Sequence, residues 1–180
     1  MINIFFKGVC LSDFVEFITK WIHCSTVKLS RTTPYHRRSR YRHLQSGVSP
    51  EDSHVYVMYH GTSKQIAVDI QRNGFKPSKD GMLGAGVYLS RDIRKVIKYP
   101  IGADDSDRMV LKVKVDVGMV KIIDAQGHDM QYNWHTKHGY DTAWVPPGVG
   151  MVNSDQEEDC VFDPKRITVL TMLKVSTMKM

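Results

Sequence analysis

Several things that this chain lacks narrow its class. It has three cysteines, Cys10, Cys24 and Cys160, an odd number, widely spaced and without a Cys-x-x-Cys pair. That spacing argues against a disulfide framework and leads us to expect a reduced intracellular protein, cytoplasmic with access to the nucleus. No apolar run approaches the eighteen or so residues that a bilayer crossing requires, so no transmembrane segment is expected. The stretch Met1–Cys24 superficially resembles a secretory leader, but Lys7, Asp13, Glu16 and Lys20 interrupt it and no clean small-residue cleavage site follows. His128, His135, His138 and Cys160 match no zinc module, and no metal is expected. No internal repeat is visible.

Acid is missing from one region in particular. Residues 28–43 contain Lys28, Arg31, Arg37, Arg38, Arg40 and Arg42 and no Asp or Glu, which accounts for the whole formal charge of +6. The rest balances, so a pI near 9.2 describes this arm and not the body of the protein. Tyr35 and Tyr41 among the arginines make RNA a candidate contact for the arm, against the plainer reading of a solvated tether.

What is present divides the chain into three segments: 1–27, an amphipathic helix segment; 28–53, the basic arm or linker; and 54–180, a folded domain. In the first, Phe14, Phe17, Ile18, Trp21 and Ile22 recur at helical spacing, with Ser12 or Asp13 placed to cap. The domain opens with a strand over 54–59, followed by a helix over 63–73 capped by Ser63 and closed by Gly74. Short strand 87–89 and a helix over 92–99, stopped by Pro100, come next. Further strands are expected at 109–117, 120–123, 142–145, 159–162 and 167–175. Early helices and late strands argue for an α+β fold with mixed or antiparallel sheets, and not a doubly wound parallel one. Gly81, Gly84 and Gly86 follow a helix and precede a strand, the reverse of the order in a Rossmann fingerprint.

One set of residues points to chemistry. Tyr59-His60-Gly61-Thr62, then Gly84-Ala85-Gly86-Val87-Tyr88, then Tyr99, bring a histidine, a glycine-framed tyrosine and a second tyrosine into an order that suits a cleft for a flat heteroaromatic ring. Each piece alone is a common feature of strand ends and core aromatics; their joint spacing is what marks them.

These motifs resemble the catalytic domain of the poly(ADP-ribose) polymerase family of diphtheria-toxin-like ADP-ribosyltransferases, over residues 55–175. More narrowly, Gly81–Asp92 and Glu158–Pro164 are similar to the interferon-responsive reovirus-induced gene 2 proteins. The resemblance implies a compact two-sheet ADP-ribosyltransferase fold with short flanking helices, NAD as co-substrate and no metal. His60 matches the histidine that binds the adenosine ribose, and the backbone of Gly61, followed by Thr62, matches the partner of the nicotinamide carboxamide. Tyr88 and Tyr99 match the pair that sandwiches the nicotinamide. Glu158, six residues before Pro164, matches the catalytic glutamate, with Glu157 the nearest competitor for that assignment. Lys76–Leu83 resembles the donor loop and residues 146–157 the acceptor-side loop, entered through Gly139-Tyr140-Asp141-Thr142.

The expected activity is NAD-dependent transfer of ADP-ribose, one unit in preference to a chain, to a protein or nucleic-acid acceptor, with a role in antiviral innate immunity implied by the resemblance. Val96 stands where the family usually has a serine that donates to the carboxamide, and losing that bond costs on the order of 1 kcal/mol. The main competing reading is therefore a weak or inactive NAD or ADP-ribose binding module acting through protein or RNA contacts. An RNA 2′-phosphotransferase ranks lower, since no basic cluster follows His60 to hold phosphate.

Overall fold

The computed structural model describes residues 42–178. The N-terminal amphipathic helix and residues 28–41 of the basic arm lie outside the described residues.

Two sheets form the body. The first has the order β1-β3-β7, from β1 (Val55–Ser63), β3 (Arg108–Asp116) and β7 (Ile167–Lys174), all antiparallel. The second has the order β2-β6-β5-β4, from β2 (Val87–Leu89), β6 (Glu158–Val161), β5 (Thr142–Val145) and β4 (Val120–Ile122). Its β4–β5 pair is parallel and the others antiparallel, so the expected α+β class with mixed sheets is what the chain adopts. Two helices flank the sheets, α1 (Lys64–Asn73) and the single-turn α2 (Ile93–Val96).

The pattern of β3 explains why it is central. Leu111, Val113 and Val115 alternate with Lys112 and Lys114, and the apolar set is fully buried against Tyr56, Met58, Ala67, Ile70, Val87, Leu89 and Val161. Each such side chain removed from water contributes roughly 1.5–3 kcal/mol. The Ser63 hydroxyl accepts from Ile66 N, which caps α1, and Gly74 N returns to Ile70 O to close it.

Three differences from the sequence reading have physical causes. β1 does not stop at Tyr59 but runs through His60, Gly61 and Thr62 to Ser63, because Arg108–Leu111 of β3 lies opposite to pair with them. The helix expected over 92–99 is regular only at Ile93–Val96. Asp92 caps it, Ile97 N and Tyr99 N close the last turns onto Ile93 O and Val96 O, and Pro100 disfavours helix at Tyr99. Residues 42–53 lie on the body: Arg42 bridges Tyr56, Leu44 packs on the core and Pro50 is buried.

The two sheets meet at a short join that positions the candidate site. Tyr59 N donates to Ser90 O at 2.8 Å and Ser90 N donates to Tyr59 O at 3.0 Å, so the strand bearing His60 is tied to the strand bearing Tyr88.

Candidate active site

His60 follows directly from that join. Its Nδ1 lies 2.9 Å from the Tyr88 carbonyl oxygen, which can only accept, so Nδ1 carries the proton and Nε2 is left as an acceptor. Burial holds the His60 pKa below its ordinary value, partly opposed by the bond to the Tyr88 carbonyl, and the ring is neutral at physiological pH. Phe75 packs edge-on against it at 5.3 Å. His60 and Tyr88 together line a cleft of about 260 Å³ with Ile66, Asp69 and Ser78.

Gly61 is next along β1. Hydrogen bonding along a strand repeats every two residues, so the N–H and C=O of Gly61 point to the same edge as those of Tyr59, away from β3. A Cβ at Gly61 would collide with the carbonyl of Val96, with the Tyr99 Cβ next nearest at 3.2 Å. Glycine is thus required by the approach of the 96–99 backbone, a reason the sequence alone did not supply. Thr62 is buried, and the Val96 side chain packs with Ile97, Val110 and Val175, leaving no hydroxyl at that position.

Tyr88 spends its hydroxyl on a neighbouring turn. It accepts from Leu83 N at 2.9 Å and donates to Gly84 O at 2.8 Å, while burial pushes its pKa further up from the ordinary phenol value. Gly81 lies so close to this hydroxyl that any side chain would displace it. Across the β2–β6 pair Tyr88 faces Cys160, whose buried thiol is pushed up to about 12 and stays protonated, so it is no nucleophile at neutral pH.

Tyr99 and Glu158 line a second cleft, of about 530 Å³, with Met82, Lys95, Met151, Val152, Asn153, Ser154 and Gln156 among its walls. The donor-loop and acceptor-loop segments marked in the sequence both reach this cleft, through Met82 and through residues 151–156. Sequence reasoning missed Lys95. Its side chain is 3% exposed, and its Nζ lies 3.1 Å from Glu158 Oε2 and donates to Glu157 O at 2.6 Å. Burial raises the Glu158 pKa above the usual glutamate value, and Lys95 opposes that rise by charge and hydrogen bond. The i, i+4 relation of Lys95 to Tyr99 was the available signal, since both then face one side of the helical turn.

The strand pleat separates the three consecutive acids 157–159. Glu157 and Asp159 are completely buried behind the sheet. Arg91 Nη2 lies 2.5 Å from Glu157 Oε2, and Arg91 Nε lies 3.4 Å from Asp159 Oδ2 without hydrogen-bond alignment. Glu157 Oε2 also accepts from Gly47 N and, at 3.4 Å, from Trp144 Nε1, while its Oε1 accepts from Arg91 N. Arg91 in turn donates to the carbonyls of Gln45 and Val48. Glu157, the nearest competitor for the catalytic assignment, is therefore committed to a buried ionic cluster, whereas Glu158 borders the cleft.

A two-sheet α+β body, with His60 and Tyr88 on one cleft and Tyr99 and Glu158 on another, is compatible with a compact ADP-ribosyltransferase-like fold. Residues 21–169 match the profile of the poly(ADP-ribose) polymerase catalytic domain, and the chain belongs to that family. It is also similar to a poly(ADP-ribose) polymerase-like protein, 100L, of Invertebrate iridescent virus 6, with 28% identity over 111 residues. That match covers 55% of this chain and 60% of the viral protein. NAD is the co-substrate of such domains. Among the described residues no group of three or more His, Cys, Asp or Glu side chains is arranged to hold a metal ion, and no helix is long and apolar enough to cross a membrane.

Proposed function

We propose that this chain is an NAD-dependent ADP-ribosyltransferase that transfers single ADP-ribose units, with Glu158 as the catalytic carboxylate. The observation that carries the reading is the position of Glu158 on the cleft shared with Tyr99, while its neighbours Glu157 and Asp159 are buried against Arg91. Features at the other end fit the dinucleotide. His60 offers Nε2 as an acceptor for a ribose hydroxyl, and Gly61 turns its N–H and C=O away from β3, toward the edge where a carboxamide would pair.

In this reading His60, Gly61, Thr62, Tyr88 and Tyr99 hold NAD. Breakage of the nicotinamide–ribose bond releases neutral nicotinamide and leaves oxocarbenium character on the ribose, which the Glu158 carboxylate stabilises. The acceptor's nucleophile then forms the new bond to that ribose carbon and releases its proton to solvent water. The contribution is electrostatic stabilisation together with positioning. A protein acceptor, a cytoplasmic location, RNA contact through the basic arm and an antiviral role complete the proposal; they rest on the motif resemblance to the reovirus-induced gene 2 proteins and on the arm's charge.

Val96 favours a second reading, a weak or inactive binding module, because the carboxamide finds no side-chain hydroxyl there. Incubation with labelled NAD separates the two. The enzyme reading expects labelled product or nicotinamide release from the wild type, and loss of both in Glu158→Ala and His60→Ala. Equal signals from all three proteins, with NAD still bound, would leave the binding module standing.

A further inference from the structure

The turn Gly81–Gly84 lines the Tyr99–Glu158 cleft through Met82 and is bonded to the Tyr88 hydroxyl, and its polar groups are satisfied largely from distant segments. Gln131 Nε2 donates to Met82 O at 2.9 Å, and Trp134 Nε1 donates to Leu83 O at 2.7 Å. Leu83 N and Gly84 O are taken by the Tyr88 hydroxyl, and Gly84 N closes onto Gly81 O at 2.9 Å. Both donors are almost completely buried, Gln131 at 1% and Trp134 at 2% exposure, and the Leu83 side chain is buried beneath them. Gln131 is itself fixed, since its Oε1 accepts from Gly127 N at 2.7 Å. Behind the turn, a Cβ at Gly84 would come within 3.3 Å of Tyr132 O. Buried amide and indole N–H groups need acceptors; Gln131 Nε2 also reaches Gln126 Oε1 at 3.3 Å and Tyr132 Oη at 3.2 Å, but its shortest bond, like the bond of Trp134 Nε1, goes to this turn.

The consequence falls on the clefts. Met82 is part of the wall around Tyr99 and Glu158, and Tyr88 is part of the wall around His60. A turn held on both carbonyls and through Tyr88 fixes both walls before any ligand arrives, so a ligand bound there does not have to order them.

We propose that Gln131 and Trp134 are positioning residues for the NAD site, acting through the Gly81–Gly84 turn and Tyr88 to preset the donor side of the cleft. This rests on the proposed transferase reading. Because the two side chains contribute to ground-state binding and touch no reacting atom, their removal raises the KM for NAD and leaves kcat nearly unchanged.

The test uses the full chain with Gln131→Met and, separately, Trp134→Phe, which keeps an aromatic ring and deletes the donor. Each is expected to raise the KM for NAD by about 5- to 10-fold with kcat within about twofold, the effect of losing one buried hydrogen bond. Hydrogen exchange of the Leu83 and Gly84 amides, followed without NAD, is expected to accelerate in both variants relative to wild type. Unchanged exchange overturns the clamp itself. Accelerated exchange with an unchanged KM overturns its link to the donor site. A fall in kcat at constant KM reassigns the residues to the chemical step and also overturns the proposal. A wild type that does not bind NAD overturns the transferase reading and is distinguished from a failed clamp because the exchange measurement needs no ligand.

Discussion

Successive residues of β6 and its approach meet opposite surroundings. On one face Glu157 and Asp159 sit without solvent beside Arg91, Trp144 and the backbone of residues 45–48. On the other, Glu158 keeps 19% of its side chain exposed on a cleft and pairs with Lys95. The residue types are nearly the same, so the difference comes from the two-residue pleat and from which cation each face receives. Behind the sheet the cation neutralises charge that folding has removed from water. At the cleft it tunes a carboxylate that remains accessible.

The contrast can be broken first from behind. Arg91→Ala leaves Glu157 and Asp159 buried without their cation, and breaking such a cluster costs about 3–5 kcal/mol of stability. Burial already raises the Asp159 pKa, with the charges of Glu157 and Glu158 adding to the rise and Arg91 opposing it, so the variant drives that carboxyl further toward its protonated form. Denaturant unfolding of the variant measures the loss. A change below about 1 kcal/mol would mean that the cluster is already neutral or wet.

A smaller effect is expected from the cleft side. Lys95→Met removes the group that opposes the burial-driven rise of the Glu158 pKa, so that pKa moves further up. A transferase that needs the Glu158 carboxylate loses activity as pH falls through this pKa. The acid limb of the kcat/KM profile is expected to move to higher pH, with activity falling more at the acid end of the profile than at the alkaline end. An unshifted limb would show that Lys95 does not tune the carboxylate.

Local patterns made much of the frame legible. The apolar pattern of residues 109–117 marked β3, and Ser63 and Gly74 marked the ends of α1, because periodicity and caps are properties of neighbouring residues. His60, Tyr88, Tyr99 and Glu158 were reached from motif order, and β1–β2 contact through Tyr59 and Ser90 now gives two of them a common cleft. Long-range pairing was not legible. Nothing local announces that Arg91 will meet Glu157, 66 positions away, or that Trp134 will answer a carbonyl 51 positions earlier. The glycine at 61 shows the same limit: the motif marked its backbone, but the carbonyl that excludes a side chain there comes from Val96, 35 positions on.

The most direct measurement is a paired comparison of Glu158→Gln and Glu157→Gln for NAD turnover and thermal stability. Glu158→Gln is expected to lower turnover by about 100- to 1,000-fold with little change in stability, as removal of one transition-state charge contact does. Glu157→Gln is expected chiefly to lower stability and to leave turnover within about tenfold of wild type, since it unbalances the cation of Arg91 and touches no cleft. Turnover lost in Glu157→Gln but kept in Glu158→Gln would transfer the catalytic role to the buried carboxylate and overturn the assignment of Glu158.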